Sequence, residues 1–151
     1  MRYAFASLLA LASAVSAVGN AVVENKSTSK FYLWSVGGAV GDRQTVEPGA
    51  QYSEALRRDP TTGGISIKIT KTDDGLYTGA PTQQFAYSLD GEQVWYDLST
   101  TFGDPFSGQR VTVTSGGGGT IDWPQGTNPG GSQVKVTSSD DNVVLTVYGS
   151  A

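Results

Sequence analysis

An all-β fold, an antiparallel β-sandwich, is the class this sequence predicts, and three observations carry it. After the first 17 residues no stretch shows the 3.6-residue apolar period of an amphipathic helix. About ten short segments alternate apolar and polar residues instead. Clusters of Gly, Pro and Asp separate those segments at the spacing of sheet turns.

The strongest segment is Gln84–Gly108. Phe85, Tyr87 and Leu89 alternate with polar or small neighbours, and Val94, Tyr96 and Leu98 do the same after Asp90-Gly91. Asp-Gly suits a two-residue hairpin loop, because Gly reaches φ > 0 without steric cost and Asp tolerates it. That loop predicts Leu89 opposite Glu92, Tyr87 opposite Val94 and Phe85 opposite Tyr96, with the apolar sets on one face. The other face carries Gln84, Ala86, Gln93, Trp95 and Asp97. Phe102-Gly103-Asp104-Pro105-Phe106 closes the block as an aromatic-anchored loop.

The remaining elements follow in order. Met1–Ala17 reads as a signal peptide: Arg2, an apolar run, then small residues before a cut. The run is too short to span a membrane, so residues 18–151 form one secreted domain of about 134 residues. Ala21–Glu24 and Lys30–Val36 are strands joined by the turn Asn25–Ser29. Asn25-Lys26-Ser27 is an N-glycosylation sequon, and an exposed turn there predicts a glycan. Trp34 is expected in the core. Arg43–Val46 and Gln51–Ala55 are short strands around Pro48-Gly49, and Arg57-Arg58 reads as a solvated loop pair. Ile65, Ile67 and Ile69 mark a half-buried strand, Ile65–Thr70. Asp73-Asp74-Gly75 ends it as a turn; the twelve-residue calcium-loop pattern is missing. Arg110–Thr114 is another strand. The glycine run Gly116–Gly119 is a loop tip with no Gly-Lys-Ser/Thr continuation. Thr120–Gly131 reads as irregular, and Gln133–Thr137 and Val143–Tyr148 close the sheet across Asp140-Asp141-Asn142.

Composition narrows the chemistry. Net charge is −4 with no basic stripe, which argues against nucleic acid as a partner. The chain has neither Cys nor His. Zinc and copper sites lose their usual ligands, His-based triads are excluded, and no cofactor is expected.

Taken together, VGNAVVEN at Val18–Asn25, YLWSVGG at Tyr32–Gly38, GGISIKIT at Gly63–Thr70, Phe85–Ser99, Phe102–Phe106 and PGGSQVKV at Pro129–Val136 resemble the small fungal thaumatin-like proteins. That family is named after a yeast-phase-specific protein of dimorphic fungi and has secreted, surface-associated, antigenic members. The resemblance implies a reduced thaumatin β-sandwich. Relatives carry cysteines near the positions of Lys26, Ile121-Asp122, Thr137 and Tyr148, all absent here. Larger thaumatin-like proteins have an acidic cleft, and some are linked to binding or cleaving β-1,3-glucan. Carried over, the cleft's Asp-x-Ser pattern matches Asp97-Leu98-Ser99, while its glutamate falls on Ala86 and its second aspartate on Phe102. Asp104 is the nearest substitute. Glycoside hydrolysis needs two carboxylates, so this single match favours binding over cleavage.

The reading is therefore a secreted, monomeric, non-catalytic extracellular or cell-wall protein that binds polysaccharide (β-glucan or chitin) or a host surface. Trp123, Trp95, Asp97 and Asp104 are the candidate ligand-binding residues. Trp123, in a Gly/Pro-rich stretch, is the expected exposed aromatic; Trp95 offers a flat ring for a sugar face. Asp97 has a second role open to it, fixing the loop after its strand. A weak endo-β-1,3-glucanase using Asp97 and Asp104 is the alternative, and an antimicrobial or virulence factor a third.

Overall fold

A computed structural model describes residues 17–150; the expected signal peptide lies almost wholly outside them. Eleven strands form two sheets that face one another. Along the chain come β1 Asn20–Lys26, β2 Phe31–Val36, β3 Gln44–Val46, β4 Gln51–Ala55, β5 Ile65–Thr70, the one-turn helix α1 Gly75–Thr78, β6 Thr82–Asp90, β7 Gln93–Thr101, β8 Gln109–Ser115, β9 Ile121–Trp123, β10 Lys135–Ser138 and β11 Val143–Ser150. One sheet has the order β4-β1-β11-β8-β9, the other β10-β7-β6-β5-β2-β3. The all-β sandwich read from the sequence is the observed fold.

Period-2 alternation builds the core. Ala21, Val23, Val111, Val113, Val143, Leu145 and Val147 point inward from one sheet. Phe31, Leu33, Ile65, Ile67, Ile69, Phe85, Val94 and Leu98 meet them from the other. Each such side chain larger than alanine contributes roughly 1.5–3 kcal/mol when fully buried, which in a chain without disulfides carries the stability. Two core tyrosines tie the sheets together at their tips. The Tyr87 hydroxyl donates to Glu54 Oε2 at 3.0 Å on β4, and the Tyr96 hydroxyl bonds Ser115 Oγ at 2.9 Å on β8.

Three expectations are corrected. First, the sandwich is not purely antiparallel, because the turns after β1 and after β10 carry the chain from one sheet to the other. β1 thus runs parallel to β11, Ala21 against Val143 through Lys26 against Tyr148. Alternation marks which face is buried but not which strand is the neighbour. Second, the stretch Thr120–Gly131 contains a strand, β9, with Ile121 and Trp123 inward around Asp122. Third, the turn at Asp73-Asp74-Gly75 leads into α1, whose carboxyl end is closed by Gly79 at φ 74°.

The hairpin holds with a shifted register. The observed pairs are Leu89–Val94, Tyr87–Tyr96 and Phe85–Leu98, two residues from expectation. The loop is Gly91-Glu92, closed by Asp90 against Gln93. Gly91 has φ 59°, and neither Asp90 nor Glu92 is positive, so Gly takes the first central position of a type II′ turn. The shift is even, so the same side chains face the core. A Cβ at Gly91 would meet no atom within 4 Å. Gly91→Val should therefore cost only backbone strain, about 1–3 kcal/mol. A thermal melt reads this; an unchanged midpoint would show that the turn does not depend on glycine.

Asn25 is not on an exposed turn. It is 1% exposed at the end of β1. Its Nδ2 donates to Ser29 O and to Val46 O, each at 2.9 Å, while Oδ1 accepts from Ser27 N and Ser27 Oγ. The nitrogen that would carry a glycan uses both hydrogens inside the protein. Folding and glycosylation compete for this atom, so folded protein from a glycosylating host should carry an unmodified Asn25. Mass spectrometry of the tryptic peptide decides; a glycosylated peptide from protein with native stability would refute the exclusion.

Candidate functional site

The outward face of the six-stranded sheet holds the candidate site. Along β7, Trp95 and Asp97 point away from the core, opposite Ser88 and Ala86 of β6. Trp95 is 41% exposed, large for a tryptophan. The small residues across from it explain this: neither Ser88 nor Ala86 can cover an indole. Val136 pairs with Trp95 from β10, and exposed Val134 lies just before that strand. Together they border a shallow groove of about 270 Å³ lined by Ala86, Ser88, Trp95, Asp97 and Val134. It continues across Ala86 and Ser88 into a hollow of about 360 Å³ bordered by Gly64, Ser66, Lys68 and Val36. Gln84 Oε1 accepts from Lys68 Nζ at 3.3 Å beside it.

The two candidate acids line different hollows. Asp97 Oδ1 accepts from the Leu98 backbone N–H at 2.8 Å; both residues lie within β7, so this bond does not fix the loop after the strand, as was expected of Asp97. Asp104 accepts from Thr100 Oγ1 at 2.8 Å and lines a different hollow, with Lys71, Pro81 and Pro105. Ala86, where the larger family has its glutamate, supplies only a methyl group to the groove.

Trp123 is the clearest reversal. It is 0% exposed, points inward from β9, and donates from Nε1 to Gln133 Oε1 at 3.0 Å. The Gly/Pro-rich surroundings expected to expose it wrap it instead. Gly126, three residues on, turns the chain back against Phe106 and Gln109 with φ 68°; a Cβ there would lie 2.0 Å from Phe106 O.

A polar network beside this face was not expected. Arg57 Nε lies 3.4 Å from Glu54 Oε2, and one of its terminal nitrogens lies 3.9 Å from Asp59 Oδ2. Asp59 accepts backbone N–H bonds from Gly38, Thr61 and Thr62, which hold its carboxyl well below the usual range. Burial, and then Glu54, push the Tyr52 hydroxyl up to about 12. Each carboxylate is engaged, so the cluster braces the loop after β4. The Asp-Pro at Asp59-Pro60 was the only sequence sign of it. Among the described residues no three carboxylates gather as a metal site requires.

Comparison with known proteins shows the family and the fold. The sequence model of the family described as "Bys1: Blastomyces yeast-phase-specific protein" matches residues 8–149. The chain belongs to that family. It is 35% identical over 111 residues to an "Antigenic thaumatin-like protein" of Arthroderma benhamiae, covering 73% of this chain and 55% of the relative. It is also 35% identical over 98 residues to the "Secreted thaumatin-like protein calA" of Emericella nidulans, covering 64% and 55%. The chain thus spans about half the length of these relatives. Among solved structures, the protein elicitor MoHrip2 from Magnaporthe oryzae superposes with a TM-score of 0.70 at 25% identity, covering 85% of this chain and 98% of that one. The thaumatin-like xylanase inhibitor TLXI superposes with a TM-score of 0.61 at 12% identity, covering 83% and 97%, a likeness of fold. The protein is thus a thaumatin-like Bys1-family member without cysteine.

Proposed function

We propose that this protein is a secreted, non-catalytic binder of neutral polysaccharide, β-glucan or chitin, along the Trp95 groove. The exposure of Trp95 above Ala86 and Ser88 carries the reading. A sugar ring stacked there buries apolar area at roughly 25 cal/mol per Å², offset by the cost of association. Ser88, Ser66 and Asp97 offer hydrogen-bonding groups along the same line. Single contacts of this kind are weak, so a polymer engaging several grooves or copies binds better than an oligomer. The name of the secreted relative supports export, and the separation of Asp97 from Asp104 into different hollows supports binding without cleavage.

A pull-down against insoluble β-glucan and chitin tests it. Trp95→Ala should retain fold and lower binding about tenfold, equivalent to about 1.4 kcal/mol. Asp97→Asn should change it less. Reducing sugar released by the parent and lost in Asp97→Asn would overturn the reading in favour of a glucanase.

One observation favours a second reading, a protein partner such as a host surface protein. Phe102 is 72% exposed and holds φ 62°, the one non-glycine residue with positive φ among those described. Phe106, buried two residues after Asp104 and edge-on to Phe31 at 5.5 Å, anchors the loop that presents it. A strained, anchored loop displaying a bare aromatic ring fits protein recognition better than it fits solubility. If the parent binds no polymer, Phe102→Ala becomes the variant to test against protein partners.

A further inference from the structure

A second hollow, of about 500 Å³, lies at the far side of the same sheet face, between residues 40–43 and 73–77. Its aromatic corner is Trp34 and Tyr77, with ring centroids 6.2 Å apart and planes at 85°. Tyr77 is 72% exposed and offers an open ring face; Trp34 is 2% exposed. Trp34 was expected in the core, yet it points outward from β2, opposite Lys68, and is buried by this hollow's own walls. Its indole N–H makes no hydrogen bond to any described residue and, unlike the rest of the ring, keeps contact with solvent.

Charge completes the picture. Asp42, Asp73, Asp74 and Arg43 line the hollow. Arg43 is taken by Asp73, with 3.8 Å to Oδ2 and 3.1 Å to the backbone carbonyl, and its guanidinium lies over the Tyr32 ring at 5.4 Å. Asp42 and Asp74 have no ion-pair or side-chain hydrogen-bond partner among the described residues, and Asp74 makes no cap to the helix it precedes. Two free carboxylates therefore flank an aromatic corner with a solvent-facing donor. A metal ion does not suit this, since no three potential ligands gather among the described residues. An organic cation with an apolar body and an oxygen acceptor does.

We propose that this hollow binds the protonated amino sugar of a glucosamine-bearing polysaccharide. The ring C–H face lies on Tyr77, the ammonium sits between Asp42 and Asp74 with the cation–π attraction of the aromatic corner, and a sugar oxygen accepts from the Trp34 indole N–H. A lysine side chain would satisfy the charge but leave most of the hollow and the indole donor unfilled. Trp34 and Trp95 share one face, three strands apart and roughly 20 Å along the diagonal, so one chain can reach both. The site does not require the Trp95 groove to bind anything.

The test is calorimetry at pH 5 with a fully deacetylated glucosamine tetramer, its N-acetylated counterpart and tetralysine. The deacetylated tetramer should bind at least tenfold tighter than the other two. Asp42→Asn/Asp74→Asn and Tyr77→Ala, all at exposed positions, should each remove at least tenfold of that affinity, while Trp95→Ala keeps the preference for the amine. Equal affinity for the two sugars, stronger binding of tetralysine, no binding, or an unchanged double Asn variant would overturn the proposal. If a variant does not fold, amide and indole shifts of the parent titrated with the deacetylated tetramer decide: they should cluster at Trp34 and Tyr77, and clustering elsewhere overturns the site.

Discussion

Trp123→Ala is expected to lower the unfolding free energy by about 3–5 kcal/mol, the range for removing a large buried aromatic side chain. The indole is wholly buried, pointing into the core from β9 with Val111 of β8 as its strand partner. Its loss opens a cavity that the neighbourhood cannot close by collapse. Gly126 already places its backbone so near Phe106 O that even a methyl group has no room there, and the strands either side are locked in register. The Nε1 bond to Gln133 also goes, and Gln133 donates to Gly130 O and Gly131 O, so the loop before β10 loses its anchor to the core. Denaturant unfolding followed by fluorescence of the remaining tryptophans should show the midpoint fall with little change in m. A variant within about 0.5 kcal/mol of the parent would remove Trp123 from the core. Any loss of ligand binding in this variant would follow from unfolding, whereas Trp95→Ala acts at the surface.

The contrast between these two tryptophans shows what the sequence could reveal. Trp95 sits in a nine-residue alternating strand, and its parity alone assigns it to the face opposite Tyr96 and Leu98. Whether that face is open depends on Ser88 and Ala86 across the ladder, and the sequence places these only once the register is known. Trp123 sits in a three-residue strand among Pro and Gly. Three residues are too few for a period to be read, and the turn residues that usually mark a solvent loop here serve a tight return beneath Phe106. Buried Asn25 was hidden for a related reason: its partners Ser29 and Val46 belong to a local turn and to a strand in the opposite sheet. The acidic network failed to show because Glu54 and Asp59 are joined by Arg57, which sequence patterning treats as solvated. Alternation reports faces faithfully; sheet membership, neighbour choice and the fate of isolated polar groups arise from contacts far apart in the chain.

Adding a Lys26→Cys/Tyr148→Cys pair is expected to stabilise the oxidised protein by about 4–5 kcal/mol, the loop-closure value for a cross-link spanning over 100 residues. The resemblance to cysteine-bearing relatives picked out both positions, and the structure shows why they belong together. Lys26 and Tyr148 are the last register partners of the parallel β1–β11 pair, so their side chains leave the sheet on the same side. Adjacent strands lie about 4.8 Å apart, inside the Cα separation a disulfide accepts. In this chain the Lys26 ammonium lies 5.9 Å from the centroid of the Tyr148 ring, and Arg110 approaches the same ring at 5.4 Å while pairing with Asp122 at 3.0 Å. Exposed cation–π contacts of this kind are worth about 0.5–1 kcal/mol each, so their removal offsets only part of the gain. The reduced variant should therefore melt slightly below the parent and the oxidised one well above it. Thiol titration establishes that the bond has formed; an oxidised variant no more stable than the reduced one would mean that the two strand ends do not hold the register described. β1 and β11 join the two ends of the domain, so the cross-link would restrain the pair of strands most separated in sequence, where the unfolded chain has the most freedom to lose.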